Sequence, residues 1–367
     1  MTDRPTPLPS AKPGPLRIAP YVGGKSSVGG VNRVVKLSSN ENPHGASPKA
    51  IEAFRAAGDT LALYPDGGAT ALREAIAKSE GLDPARIVCG AGSDEIISML
   101  CLAYAGIGDE VMHSAHGFLM YRLSALSVGA EPVSVPERDL TADIDAMIAA
   151  ANERTKLVFL ANPNNPTGTM IPDREVRRLR EGLPSHTLLV LDAAYAEYVD
   201  DPDYEPGARL VAEREDTVMT RTFSKIHGLA TLRLGWCHAP EGVVDVLNRV
   251  RGPFNVSGPA LAAGTEAIAD EDFVATTRED NARQRARVSE ALARLGFPAL
   301  PSHGNFVLAE FGTDGSRSAS AADDFLQQRG ILIRRMEGYG LPAHLRISIG
   351  TAEENGLLIA ALEDFAG

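Results

Sequence analysis

The sequence predicts an α/β fold, with a large domain built on a mostly parallel sheet and a smaller α+β C-terminal domain. Three observations carry this. From Ser47 onward, short apolar strands alternate with helical segments, the pattern of parallel strands joined by crossover helices. Near Asn255 to Gly258 the pattern changes: Pro253 and Pro259 bracket a Gly-containing stretch, and Ala/Arg/Glu-rich helical sequence follows. At 367 residues, the chain is long enough for about two domains. The expected division is an N-terminal arm over 1–40, a large domain over 41–258 and a small C-terminal domain over 259–367.

Taken in order, Ser47 offers a cap and Pro48 a first-turn proline, so a helix starts there and Gly58 closes it. Ile87-Val88-Cys89 reads as a strand, and an apolar helix over 93–105 follows it. Strands at 110–114, 131–135, 157–160, 188–191 and 217–223 then alternate with helices at 118–128, 143–151 and 173–182. The small domain reads as strand 305–311, helix 320–329, strands 331–334 and 345–349, and a final helix over 353–365.

Composition narrows the function. The chain is 44% hydrophobic and 23% charged, with a mean hydropathy of -0.09, as in water-soluble globular proteins. Lys and Arg number 36 against 48 Asp and Glu, a net charge of -12. Nucleic acids and anionic membranes would meet a repulsive surface, so neither is expected as a partner. The three cysteines, Cys89, Cys101 and Cys237, form no C-x-x-C pair, which suits a reducing, cytoplasmic setting. The proline-rich start has no apolar run for a secretory signal and reads as a mobile arm to about residue 16.

In open parallel sheets, ligands sit beyond the carboxyl ends of the strands. Four segments there carry unusual residues: Gly90-Ala91-Gly92-Ser93-Asp94, Asn162-Pro163-Asn164-Asn165-Pro166-Thr167-Gly168, Asp192-Ala193-Ala194-Tyr195 and Thr222-Phe223-Ser224-Lys225. The first opens a helix whose free N–H groups can hold a phosphate. A dinucleotide site fits poorly, because Glu95 stands where a third glycine is needed. Asp192 ends an apolar strand, where a carboxylate is desolvated unless a cation or donor meets it; a helix cap is the plainer alternative. Lys225, beside two hydroxyls and ahead of Arg233, reads either as a solvated charge or as a desolvated amine able to form a Schiff base. His113 and His116 have metal-ligand spacing but no evident third ligand, so no metal is expected.

In order and spacing, these motifs resemble the fold-type-I pyridoxal-phosphate aminotransferases, and within them the histidinol-phosphate aminotransferase group. The likeness runs from Ile18-Ala19-Pro20-Tyr21 through Lys36-Leu37-Ser38-Ser39-Asn40-Glu41-Asn42-Pro43 to Leu345-Arg346-Ile347-Ser348-Ile349-Gly350. It implies that Lys225 carries pyridoxal 5'-phosphate through a Schiff base and moves the substrate proton. Asp192 would pair with the pyridine nitrogen, Asn165 and Tyr195 with the phenolic oxygen, and Phe118 would stack on the ring. Ser93 and Asp94 backbone N–H groups, Thr222, Ser224 and Arg233 would hold the phosphate, with the Asp94 side chain turned away. Tyr64 would reach the phosphate from the neighbouring subunit, which implies a homodimer.

For the substrate, the resemblance implies that Arg346 grips a carboxylate or phosphate, with Arg334, Tyr21 and Asn40 near the same mouth. Ala193, His227 and Thr231 depart from the family pattern and bear on substrate choice. The reaction implied is transamination of histidinol phosphate with 2-oxoglutarate. An aromatic amino-acid aminotransferase, a decarboxylase of a phosphorylated amino acid and a non-catalytic ligand-binding module are the rival readings.

Overall fold

Residues 10–20 and 33–367 are described by the structure, a computed structural model. It begins with helix α1 (Pro13–Leu16), strand β1 (Val35–Lys36) and helices α2 (Pro48–Ala56) and α3 (Thr70–Glu80). Next come β2 (Ile87–Gly90), α4 (Ser93–Tyr104), β3 (Glu110–Ser114), α5 (Leu119–Val128) and β4 (Glu131–Val135). A ribbon of β5 (Glu137–Arg138) and β6 (Thr141–Ala142) leads to α6 (Ile144–Ala150), β7 (Thr155–Ala161), α7 (Asp173–Gly182) and β8 (Leu188–Asp192). Then follow α8 (Ala208–Glu213), β9 (Thr217–Thr222), β10 (Gly235–His238), α9 (Glu241–Val250), α10 (Gly258–Ala269) and α11 (Glu271–Arg294). The chain ends with β11 (Phe306–Glu310), α12 (Ala319–Gln328), β12 (Ile331–Leu332), β13 (Arg334–Met336), β14 (Leu341–Ser348) and α13 (Ala352–Ala366).

The main sheet has seven strands in the order β2-β10-β9-β8-β7-β3-β4, parallel except for β10. Its central strands are apolar on both faces, as an internal parallel sheet demands. Leu157, Phe159, Leu188 and Val190 pack with α4, α5 and α9; Val158, Leu160, Leu189 and Leu191 pack with α6 and α7 on the other side. This alternation aligns the carboxyl ends of β2, β9, β8 and β7 along one edge, where the four motifs lie. No helix among the described residues is long and apolar enough to cross a membrane. Strand β10 and helices α3 and α9 lie outside the sequence expectation; β10 is a four-residue strand beginning at Gly235, too short to show a period.

The domain boundaries differ from the sequence expectation at both ends. Residues 33–40 are not an arm: β1 pairs in parallel with β12, and Leu37 is buried in the small-domain core with Val307, Leu345 and Ile347. Nor does α10 start the small domain. Its small residues Ala260, Ala263 and Ala267 pack with Ala50 of α2 and Ile76 of α3 in the large domain. The division falls within α11, a 24-residue helix about 36 Å long whose Val288 and Leu292 join the small-domain core. Residues 13–16 of the expected mobile arm form a helical turn seated on α5, with a Cβ on Gly14 falling 2.1 Å from the Leu126 carbonyl oxygen. The small domain itself is the antiparallel sheet β11-β14-β13 covered by α11, α12 and α13.

Strand β10 approaches the start of α4 as closely as a backbone can. A Cβ on Gly235 would lie 2.4 Å from the Ser93 nitrogen and 3.1 Å from the Arg221 carbonyl oxygen. Gly235→Ala is therefore expected to force α4 from the sheet at a cost of about 2–4 kcal/mol, read as a lowered midpoint in urea unfolding.

Candidate active site

A cleft with about 840 Å³ of empty space, open mouth included, lies at the carboxyl edge of the sheet. Its walls include Ser93, Asp94, Phe118, Asn165, Asp192, Tyr195, Thr222, Ser224, Lys225 and Arg233. Residues from five strand or helix ends, spread over 140 positions, are thereby gathered into one place, as the sequence motifs anticipate.

At the floor, Asp192 is the last residue of the central strand β8 and only 5% exposed. Burial pushes its carboxyl up to about 6 despite two donors, Tyr121 Oη at 2.7 Å and Thr220 Oγ1 at 3.3 Å. A carboxylate held in so dry a site is short of a cation. Lys225, just past β9, has the opposite shift. Burial and then the positive charge of Arg346 lower its ammonium to about 8, so about a tenth of it is the free amine at pH 7, far more than for an exposed lysine. Its Nζ sits 5.7 Å from the centre of the Tyr195 ring.

The other end of the cleft is built for an anion. Helix α4 starts at Ser93 behind Gly92, whose φ of 86° belongs to the left-handed region; a Cβ there would strike Arg233 Nη2 at 2.6 Å. Thr222 Oγ1 accepts from the Ser224 N–H, and Arg233 Nη1 donates to Ser224 Oγ at 3.3 Å. The Asp94 carboxylate takes a hydrogen bond from Arg233 Nη2 at 3.1 Å.

Toward the mouth, Arg346 of β14 is 7% exposed. Its Nη1 donates to Asn165 Oδ1 at 2.6 Å and its Nη2 to the Ser38 carbonyl at 3.0 Å. Arg334 faces it across the β13–β14 ladder, which sets both side chains on one face of the small sheet. Phe118 lines the cleft and meets Tyr121 edge-on at 5.8 Å.

With this geometry in view, comparison with known proteins is decisive. Residues 32–362 match the family model for aminotransferase class I and II. The chain belongs to the class I and II aminotransferases. Among its relatives, the histidinol-phosphate aminotransferase of Rhodospirillum rubrum is 56% identical over 98% of this chain and 97% of its own. That of Paramagnetospirillum magneticum is 54% identical over 98% and 99%. The crystal structure of histidinol-phosphate aminotransferase from Sinorhizobium meliloti in complex with pyridoxal-5'-phosphate superposes with a TM-score of 0.85, at 32% identity and 90% coverage of both chains. The fold alone is shared with L-threonine-O-3-phosphate decarboxylase from Porphyromonas gingivalis, at 23% identity.

The aminotransferase cleft fits pyridoxal phosphate on its own terms. The desolvated Asp192 is matched by a pyridinium, the amine of Lys225 by an aldehyde, and the glycine-cleared start of α4 with Thr222, Ser224 and Arg233 by a phosphate. Not every residue expected here lines the cleft. Asn40 is 1% exposed and lies behind Tyr195, donating from Nδ2 to its hydroxyl at 3.0 Å; its neighbours Ser39 and Glu41 line the cleft instead. Tyr64 is 83% exposed, stacks on Phe254 at 4.7 Å and is absent from the walls of its own chain's cleft. Tyr21 lies outside the described residues.

The departures from the family pattern do not reshape the cleft walls. Ala193 is buried in the core, Thr231 is exposed, and His227 is buried against Phe223 and 3.7 Å from Glu197. Burial would push Glu197 up, but Arg221 at 2.8 Å and His227 outweigh it and hold the carboxylate at about 2. This ion pair ties the Tyr195 segment to the Lys225 segment from below. His116 donates its backbone N–H and pairs its ring with Glu137. Tyr121 and Thr220, the two side-chain donors on Asp192, carry no sequence signal for that role; the apolar spacing of α5 marks Tyr121 only as core.

Because the Asp192 carboxyl lies above its ordinary value of 3.8, the ionised form costs the cofactor-free protein stability, in full above about pH 6 and progressively less as pH falls toward 4. Asp192→Asn is expected to stabilise the cofactor-free protein by about 2–3 kcal/mol at pH 8, and the gain should shrink through pH 6. Denaturant midpoints of both proteins across that range check it.

Proposed function

We propose that this aminotransferase moves the amino group of histidinol phosphate to 2-oxoglutarate, giving imidazole acetol phosphate and glutamate, with pyridoxal phosphate as its cofactor. The observation that carries the reading is whole-length identity of 53–56% to relatives of that name, joined to a cleft whose mouth holds a buried arginine. When bound, the cofactor supplies an electron sink for the carbon that loses its proton.

The residues divide the work. Asp192 holds a proton on the pyridine nitrogen, which its desolvated carboxylate favours. Lys225 Nζ anchors the cofactor and, once released, takes and returns the proton at the amine-bearing carbon; an ammonium lowered to about 8 suits that role. Asn165 accepts from Arg346 through Oδ1, which leaves its Nδ2 to donate into the cleft, beside Tyr195. Phe118 covers the ring face. The N–H groups of Ser93 and Asp94, the hydroxyls of Thr222 and Ser224, and Arg233 hold the phosphate. Arg346 meets the donor's phosphate in one half-reaction and the α-carboxylate of glutamate in the other, with Arg334 and Tyr21 flanking.

The working form we propose is a cytoplasmic homodimer. Phe54, Leu61, Leu63, Tyr64 and Phe254 are each exposed on one chain, with Tyr64 stacked on Phe254, apolar surface that a second copy would cover and that carries the tyrosine assigned to the partner's cleft.

Three measurements test these assignments. Purified protein loaded with cofactor should show a visible absorbance band that bleaches with histidinol phosphate and returns with 2-oxoglutarate; Lys225→Ala should lack the lysine-dependent band. The kcat/KM for histidinol phosphate should exceed that for phenylalanine by at least about 100-fold; near-equal values would instead identify an aromatic amino-acid aminotransferase. Mixing inactive Lys225→Ala with inactive Tyr64→Ala should restore roughly a quarter of wild-type activity through hybrid dimers with one intact site, and no recovery would contradict shared sites.

A further inference from the structure

Tyr195 sits on the large domain with its ring fixed edge-on against Phe306 at 5.2 Å, and its hydroxyl is held by Asn40. The direction of that hydrogen bond matters, because a phenol oxygen can accept while its single proton is given elsewhere. Asn40 is pinned at every polar atom. Its backbone N–H donates to Ser348 Oγ at 2.8 Å, and its carbonyl accepts from Asn305 Nδ2 at 3.0 Å and from Lys225 Nζ at 3.5 Å. With one lone-pair direction of Ser348 Oγ taken by the Asn40 N–H, the hydroxyl donates to Asn40 Oδ1 at 2.9 Å. The remaining group, Nδ2, is a donor and points at the Tyr195 oxygen at 3.0 Å.

The backbone at Asn40 has φ 55°, a left-handed conformation that asparagine tolerates better than other residues with a side chain. That turn delivers the amide to Tyr195 from a site 1% exposed. No described residue accepts a hydrogen bond from the Tyr195 hydroxyl, so its proton is left to face the cleft.

We propose that Asn40 is a positioning residue that fixes Tyr195 as a donor toward the cofactor's phenolic oxygen, under the control of Ser348 and Asn305 of the small domain. The inference rests on the pyridoxal-phosphate reading above. Reversing the amide would turn the Tyr195 proton onto Asn40 and withdraw it from the cofactor; the Ser348 contacts oppose that reversal. A donor on the phenolic oxygen favours its anionic form and so keeps the visible band's pH midpoint low.

The test is a spectrophotometric pH titration of the cofactor-loaded protein without substrate, on wild type, Asn40→Asp, Tyr195→Phe and the double variant. Aspartate keeps an acceptor for Ser348 but has no N–H to give, so Tyr195 must donate to it. Asn40→Asp is expected to raise the band's midpoint by about one pH unit while Tyr195 is present, and by clearly less in the Tyr195→Phe background, where the residual reports only the added charge. Ser348→Ala, a milder change that frees the amide to turn, should shift the midpoint in the same direction by about half as much, and should not shift it when Tyr195 is Phe. A normal band with an unchanged midpoint in both Asn40→Asp and Ser348→Ala, or a shift equally large without the tyrosine hydroxyl, overturns the proposal. Absence of any visible band in loaded wild type overturns the cofactor reading itself.

Discussion

The rest of the site depends on one constraint: a carboxylate sits at the end of the central strand, where little of it meets water. Asp192 lies between β7 and β9, its carbonyl accepting from the Asn162 N–H and the next N–H, that of Ala193, donating to Thr220. The strand cannot move to bring the side chain to solvent without breaking both ladders. Tyr121 reaches it from α5, a helix fastened through Tyr121 itself, stacked on Phe159 at 4.7 Å, and through the shared core with α4. The fold therefore maintains an unfavourable charge by packing, and a bound cation removes the cost. Groups that become comfortable only when a ligand arrives are how a scaffold converts its own stability into affinity for that ligand.

The second feature is how the two domains share the cleft. The large domain supplies Asp192, Lys225 and the start of α4, whereas Arg346, Ser348 and Asn305 come from the small one. Arg346 donates to Asn165 of the large domain, and Asn40, in the segment after β1, is held by Ser348 and touches Tyr195. The segment 33–40 thus links the small-domain core to the site: β1 is sewn to β12 by parallel pairing, and four residues later the chain reaches Asn40. A shift of the small domain would move Arg346 and Ser348 together, and with them their contacts to Asn165 and Asn40.

Much of this was legible in the sequence because it is local. Apolar runs of four or five residues mark the strands, and the segments after them mark the cleft, so Asp192 and Lys225 stand out from their own neighbours, whereas Asn165 reads locally as a turn residue and takes its role from the family resemblance. What was not legible depends on distant partners. Tyr121 is read as core because its hydroxyl's acceptor lies 71 positions away, and Asn40 is read as a mouth residue because Tyr195 lies 155 positions on. Helix α10 follows a proline-bracketed break that resembles a boundary, but its alanine face packs on α2 and α3, and packing outranks punctuation. As an unpaired acid Asp94 would repel a phosphate, a view that leaves out Arg233, 139 positions on, which pairs with it.

The same omission bears on net charge. A chain at -12 would be a poor host for a dianion if charge acted as an average. Exposed acids are screened over roughly 8–10 Å in salt solution, however, and few of them face the cleft. Within it, Asp94, Glu41 and Asp192 stand against Arg233, Lys225 and nearby Arg346, so the cleft is close to balanced rather than strongly positive. Anion binding here must then come from direction: N–H groups at the start of α4, two hydroxyls and a guanidinium already oriented by Asp94. A site built this way selects for the shape of a phosphate ester over charge alone, because each donor counts only where an oxygen meets it.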